Sequence, residues 1–263
     1  MELGIKGKTA LVFGASRGIG KGIASALASE GVNLLLVARS ENKLQMLAEE
    51  LSDKYSIETS CVALDISAVG AVEKLLSAVA ELPVNIDILI NISGGPRVAA
   101  AMHAEGQHYQ AQFNPMVAFF IDISRKLAKT MMKNNWGRIV TVASSGVTQP
   151  IKDLAISNSL RAALVSWNKT LATELAGHGV TVNTLIPGRI HTERVDEIDQ
   201  KRAEAQNIDI SSVVERSHAG IPAGRYGTVE EFASTAIFLS SQPAGYITGS
   251  CIRVDGGLIA SIF

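Results

Sequence analysis

Between Lys8 and Gly20 the chain reads Lys-Thr-Ala-Leu-Val-Phe-Gly-Ala-Ser-Arg-Gly-Ile-Gly, an apolar run followed by glycines at positions 14, 18 and 20. Thr9 to Phe13 have the β-branched and apolar character of a short buried strand, and the glycines stand where a missing Cβ lets backbone approach a ligand. A helix starting near Arg17 would aim unpaired N–H groups and its positive dipole end at that point, as a pyrophosphate requires. An ordinary strand-to-helix turn would use the same glycines, so other residues must decide. In a dinucleotide site the residue just past the second strand selects the cofactor. A carboxylate there accepts from the ribose 2′-OH, whereas a cation favours a 2′-phosphate. Here Ala38 and Arg39 occupy that place and Arg17 lies within the glycine turn. Two guanidiniums can therefore flank a phosphate, the alternative being two solvated surface arginines. The expected cofactor is NADP(H), with NAD(H) disfavoured.

The elements that would position these groups follow in regular alternation. Val32 to Ala38 is a second apolar run, after which Ser40 is placed to cap a helix whose Leu44, Leu47 and Leu51 share one face. Strands are expected over 57–64 and 86–90 with a helix over 69–79 between them. A long helix follows over 107–134, then a strand over 137–143 and a helix over 154–176 stopped by Gly177 and Gly179. A strand over 180–186 ends at Pro187-Gly188, the polar stretch from Glu193 to Ser217 reads as a mobile insertion at the substrate side (about 190–220), and Thr228-Val-Glu-Glu231 spells a capping box. Ile252 to Val254 is the last strand. Alternation of this kind implies a doubly wound, Rossmann-like α/β fold, with seven parallel strands in one sheet and helices on both faces.

Bulk properties narrow the class further. The 263 residues are 47% hydrophobic, enough for one large core, so a single domain over 1–263 is the simplest organisation. The net charge of -1 creates no field for nucleic acid or an anionic membrane, and a small-molecule substrate is expected. No leader pattern and no run of ~18 apolar residues is present, which gives an expectation of a cytoplasmic protein with no membrane partner. Cys61 and Cys251 fall in strand-like runs and read as buried small hydrophobes, without disulfide or metal. His103, His108, His178 and His218 lack ligand spacing, so no metal is expected.

Taken together, the motifs resemble the short-chain dehydrogenase/reductase family. Its turn is Thr-Gly-x-x-x-Gly-x-Gly, and here Phe13 stands at the threonine position. The resemblance extends through Asn91-Ile-Ser93-Gly94 for the family's Asn-Asn-Ala-Gly, Asn183 and Pro187-Gly188, Tyr246-Ile-Thr-Gly249, and Asp255-Gly256-Gly257. The 3-oxoacyl-acyl-carrier-protein reductases are the group it is most similar to. The resemblance implies a cofactor held by Gly14, Ser16, Arg17, Gly18, Ile19 and Gly20, by Arg39, by Asp65 and Ile66, by Asn91, Ser93 and Gly94, by Arg161, and by Pro187, Gly188, Ile190 and Thr192. Asp65 matches the aspartate that takes the adenine amino group, or else caps the next helix. Thr192 matches the residue that bonds the nicotinamide carboxamide. A homo-oligomer, a tetramer, is implied through the two long helices, with Phe119, Phe120, Val165 and Trp167 available unless some of them face the sheet.

The chain departs from the family where proton transfer happens. Relatives carry an Asn, a Ser and a Tyr-x-x-x-Lys pair, the serine 13 residues before the tyrosine. Counting from Ser144 reaches Ser157, and the lysine position holds Arg161. Asn114 matches the family asparagine, and Pro115 beside it bends or breaks the helix, either freeing a carbonyl that can hold a relay water or serving only packing. A serine hydroxyl is a far weaker acid than a phenol, and a guanidinium with pKa above ~12 releases no proton. Arg161 can still bind ribose hydroxyls and place positive charge beneath a substrate oxygen. His191 is a substitute donor or else a surface histidine, and Lys152 and Asp153 mark the substrate mouth or simply the helix entry. Asn114, Ser144, Ser157 and Arg161 are the candidate catalytic set. The expected activity is an NADP-dependent oxidoreductase acting on a 3-oxoacyl-like carbonyl, thioester-linked or free, or on a secondary alcohol. A slowed or inactive cofactor-binding scaffold or sensor, and a non-redox enzyme on the same fold, are the alternatives.

Overall fold

Side chains along β1 (Thr9–Phe13) sort the molecule into two faces: Ala10 and Val12 enter one hydrophobic layer, Leu11 and Phe13 the other. The two-residue period of a strand demands this division. β2 (Asn33–Ala38) repeats it, with Leu34 and Leu36 against Leu35 and Val37. In the computed structural model, which describes residues 1–262, β3 (Thr59–Ala63), β4 (Ile88–Ile92), β5 (Gly137–Val142), β6 (Val180–Pro187) and β7 (Cys251–Val254) complete one sheet. Every neighbouring pair is parallel and the order is β3-β2-β1-β4-β5-β6-β7, with Leu11 in register with both Leu35 and Leu89.

Parallel neighbours need crossovers, and a sheet apolar on both faces needs cover on both. The helices are α1 (Gly18–Ser29), α2 (Glu41–Tyr55), α3 (Ala71–Ala80), α4 (Gly106–Phe113), α5 (Phe119–Lys133), α6 (Ala155–Leu175), α7 (Glu193–Gln206), α8 (Ile210–Ala219) and α9 (Val229–Leu239). α1, α2 and α9 supply one layer, with Ile23, Leu44 and Phe232 among its buried side chains. α3, α5 and α6 supply the other, with Leu75, Ile123 and Leu171. Phe13 belongs to that second layer. Its ring meets Phe119 and Phe120 edge to face at 5.5 and 5.3 Å, and those two meet at 5.4 Å. Such pairs contribute about 0.5–1.5 kcal/mol each beyond the area they bury. Phe119 and Phe120 are thus core residues and not surface for a second subunit, while Val165 and Trp167 on α6 are half-buried.

Other expectations need adjustment. The polar stretch read as an insertion folds as α7 and α8; the fully buried residues of α7 are Asp199 and Ala203, so no apolar stripe betrayed it. Ser40 stands at the N-cap of α2 without a side-chain capping bond. The box before α9 forms fully: Glu231 N–H donates to Thr228 Oγ1 at 3.2 Å and Thr228 N–H to Glu231 Oε2 at 2.8 Å. Cys61 is half-buried and Cys251 exposed, because β7 is an edge strand covered on one side only, and burial raises both thiol pKa values. Among the described residues no helix is long and apolar enough to cross a membrane.

Candidate active site

The chain builds outward from β1 through β2 to β3 and then returns to place β4 on the opposite side of β1. Such a reversal opens a crevice at the C-terminal ends of β1 and β4, where open α/β sheets take ligands. The glycine turn lies there. Gly14 has φ +64°, and a Cβ on Gly20 would stand 2.2 Å from the Gly14 carbonyl oxygen, so only glycine lets α1 start this close to the strand. Arg17 is the N-cap and gives no side-chain cap, which leaves first-turn N–H groups of α1 for a ligand. Ser16 is half-buried in the turn, and Ile19 packs into the α1 layer.

Arg39 follows β2, exposed and in no ion pair among the described residues, with the Asp65 carboxylate past the neighbouring β3 near enough to feel its charge. Arg17 is engaged: its Nη1 lies 3.3 Å from Glu197 Oε1 on α7, and Arg194 Nη1 lies 3.1 Å from Oε2. The Arg194 hydrogen bond, then that of Arg17, holds the Glu197 carboxyl below the usual range. The Thr192 methyl stands 3.4 Å from the position a Cβ on Gly18 would take, so α7 begins against the glycine turn. Asp65 Oδ1 accepts from Ser67 Oγ at 2.7 Å and Ser67 N–H at 2.9 Å, which lowers its pKa; α3 is instead preceded by Gly70. Ile66 packs against the α3 layer. A glycine cradle, free helix N–H groups and an unpaired exposed arginine fit a dinucleotide with a 2′-phosphate.

On the other flank of the crevice, α6 places Ser157 and Arg161 one turn apart. Arg161 Nε donates to Ser157 Oγ at 3.3 Å, Nη1 to the Val142 carbonyl at 3.4 Å, and Nη2 to the carbonyls of Ser93 (3.3 Å) and Gly94 (3.2 Å). A guanidinium has five N–H donors, so one on Nη1 remains. Arg161 therefore ties together the ends of β4 and β5 and is not freely presented to a ribose. Burial pushes its pKa down to about 10, which leaves it charged at neutral pH. Ser144, half-buried after β5, accepts from Gly146 N–H at 3.2 Å and keeps its own O–H to donate.

Two asparagines act differently from the expectation. Asn91 is 1% exposed; its Nδ2 donates to Ser124 Oγ and Thr141 Oγ1 at 3.2 and 3.3 Å, so the side chain joins β5 and α5 and does not open into the crevice. Asn114 begins a π-helical turn (Asn114–Ala118) between α4 and α5, and its carbonyl accepts Phe119 N–H. Pro115 is absorbed by that turn without breaking the helix, and the carbonyl is not free in the sense first expected. The Asn114 side chain is exposed and makes no hydrogen bond to Ser144, Ser157 or Arg161 among the described residues.

The segment after β6 has its own logic. Pro187 closes the β6 ladder opposite Val254, and Gly188 donates to the Val254 carbonyl; a Cβ on Gly188 would stand 2.5 Å from Asp255 Cα. Ile190 has its side chain in the core, 4% exposed. His191 is a surface residue whose Nε2 lies 3.1 Å from Asp196 Oδ1. Lys152 and Asp153 are exposed before α6, Asp153 with φ +62°.

What the sequence did not disclose is the anchor of α7 and α8. Asp199, 1% exposed, receives Arg189 Nη2 on Oδ1 and the Tyr226 hydroxyl on Oδ2 at 2.6 Å. Arg189 also donates to Ser217 Oγ at 3.2 Å and stacks on the Tyr226 ring at 5.1 Å. The sole local hint was an Asp four residues before Ala203 on a helix of otherwise solvated residues.

The family model described as enoyl-(acyl carrier protein) reductase matches residues 14–259. The 3-oxoacyl-acyl-carrier-protein reductase of Aquifex aeolicus is 32% identical over 263 residues, 98% of this chain and 100% of that protein. The NADPH-dependent reductase BacG of Bacillus subtilis is 32% identical over 261 residues, 97% of this chain and 99% of its own. Among solved structures, the L-sorbose reductase of Gluconobacter frateurii complexed with NADPH and L-sorbose superposes with a TM-score of 0.94 at 31% identity, covering 100% of both chains.

Proposed function

The chain belongs to the short-chain dehydrogenase/reductase family, and from that premise we propose that it is an NADP(H)-dependent oxidoreductase that reduces a carbonyl group, or oxidises the corresponding secondary alcohol, at the crevice beside β4. One observation carries the reading: Arg161 bonds both Ser157 and the carbonyls of Ser93 and Gly94, which puts a fixed cation and a serine at the end of the strand that borders the glycine cradle. Gly14, Gly18 and Gly20 with the α1 N-terminus would hold the pyrophosphate, Arg39 the 2′-phosphate, and Thr192 the nicotinamide side. Bound there, the reduced nicotinamide supplies hydride.

The chain's own part is electrostatic. Ser144 and Ser157 each accept one hydrogen bond from the protein, from Gly146 N–H and Arg161 Nε, which leaves each hydroxyl proton to be donated to a developing oxyanion. The positive charge of Arg161 lies behind Ser157 and stabilises that oxyanion without giving up a proton, its pKa of about 10 keeping it charged. No phenol is available at position 157. General acid catalysis typically supplies about 10² to 10⁴ in rate, so turnover limited by proton delivery is expected. Relatives named as 3-oxoacyl-acyl-carrier-protein and L-sorbose reductases suggest two substrate classes to try, a 3-oxoacyl thioester and a ketose.

The deciding experiment is single-turnover oxidation of NADPH with an acetoacetyl thioester, a ketose and a simple diketone. Consumption with one class, lost in Ser144→Ala, supports the reductase. Tight NADPH binding with no consumption across the panel sinks it and favours the second reading, a cofactor-binding scaffold, for which the missing phenol is the specific argument.

A further inference from the structure

The two faces of α7 do different things. Glu197 reaches Arg17 of the glycine turn, and Arg202 follows five residues later. Five residues rotate an α-helix by about 500°, roughly 140° past a full turn, so Arg202 projects away from the crevice. Asp199, Arg202 and Gln206 share that second face at intervals of three and four.

Against this face lies a cleft of about 370 Å³, lined by Arg189, Arg202, Arg216 and Ser217, with Val213 and Leu258 as apolar wall. No carboxylate lines it among the described residues. Arg189 is held in one orientation by the buried Asp199, by Ser217 and by the Tyr226 ring, and Asp199 offsets its charge. Among the described residues Arg216 has only a neutral partner, Gln206 Oε1 at 3.3 Å, and Arg202 has no ion pair. The cleft thus keeps two uncompensated positive charges beside a preorganised third guanidinium. Cations in the last turn of a helix are favoured by its dipole, which accounts for Arg216 in α8. It does not account for Arg202, which precedes the last turn of α7 and converges on the same space.

We infer that this cleft is a binding site for a small organic anion, a phosphate ester or a carboxylate, whose charged end is forked by Arg202 and Arg216 and whose carbon skeleton rests on Val213 and Leu258. Guanidiniums match oxyanions through paired N–H donors, and the apolar wall excludes water from one side of the contact. The site lies on the far side of α7 from the cofactor crevice and does not depend on the reductase reading.

Isothermal titration calorimetry with inorganic phosphate and, separately, with succinate at constant ionic strength tests it. At least one should bind saturably at one per chain, and the R202Q/R216Q double variant should bind it at least tenfold more weakly. Phosphate alone identifies the ester class and succinate alone the carboxylate class. NADPH titration of the same variant should match wild type within about twofold, which shows an intact fold and scores the cofactor reading separately. No saturable binding of either anion, or an unchanged affinity in the double variant, overturns the proposal.

Discussion

Replacing Arg161 by methionine separates its two roles, since the structure makes it a clamp as well as a source of charge. The change removes four hydrogen bonds of 3.2 to 3.4 Å, to Ser157 and to the carbonyls of Val142, Ser93 and Gly94. Charged hydrogen bonds of good geometry contribute about 1.5–3 kcal/mol each; at these lengths about 1 kcal/mol each is the fair figure. Gly94 is exposed, so water can replace part of the loss at that carbonyl. Removing a guanidinium whose burial opposes its charge offsets more, as its lowered pKa indicates. The net expectation is a destabilisation of about 2 kcal/mol, or roughly 4–8 °C in Tm for a chain of this size. Scanning calorimetry on Arg161→Met and Ser157→Ala makes the comparison, because the serine variant deletes one of the four bonds, about 1 kcal/mol, and should lower Tm by about 2–4 °C, less than the arginine variant. NADPH turnover in the same samples should fall in both variants. If Arg161→Met melts with the wild type, the clamp is not a real feature of the folded state and the argument from those four bonds fails.

Arg39→Asp should weaken NADPH by at least tenfold while leaving NADH nearly unchanged, by fluorescence titration. Arg17→Ala should matter less, because Glu197 already shares its charge; an unchanged nucleotide preference in Arg39→Asp refutes the assignment. The Glu231 carboxyl is held down to about 2, first by Arg225 and then by the Thr228 N–H. A depressed folded-state pKa means its contribution is present above the ordinary value of 4.5 and is lost as pH falls from there to about 2. Glu231→Gln should therefore show a flatter stability profile over that window in acid titrations followed by circular dichroism, and identical profiles would contradict it. Sedimentation velocity at micromolar concentration should report a homo-oligomer, with a tetramer expected, and Trp167→Glu should shift it toward smaller species; a wild-type monomer ends that expectation.

Much of the scaffold was readable before folding because its causes are local. A two-residue period fixed which side chains of β1 and β2 meet which layer, the Gly14 and Gly20 positions followed from backbone geometry, and the Thr228 to Glu231 box needed only four adjacent residues. The replacement of a phenol and an ammonium by Ser157 and Arg161 was likewise a matter of counting. Tertiary structure decided what those residues touch. Arg161 meets carbonyls 67 and 68 residues away, Arg17 meets Glu197 across 180 residues, and Asp199 is buried only because Arg189 and Tyr226 converge on it. Cys251 is exposed because β7 has no outer neighbour, and Phe119 and Phe120 are internal because Phe13 stands opposite them. Periodicity reports which face a side chain takes; the identity of its partner depends on which distant segment the fold brings there, and an isolated stretch of sequence does not contain that information.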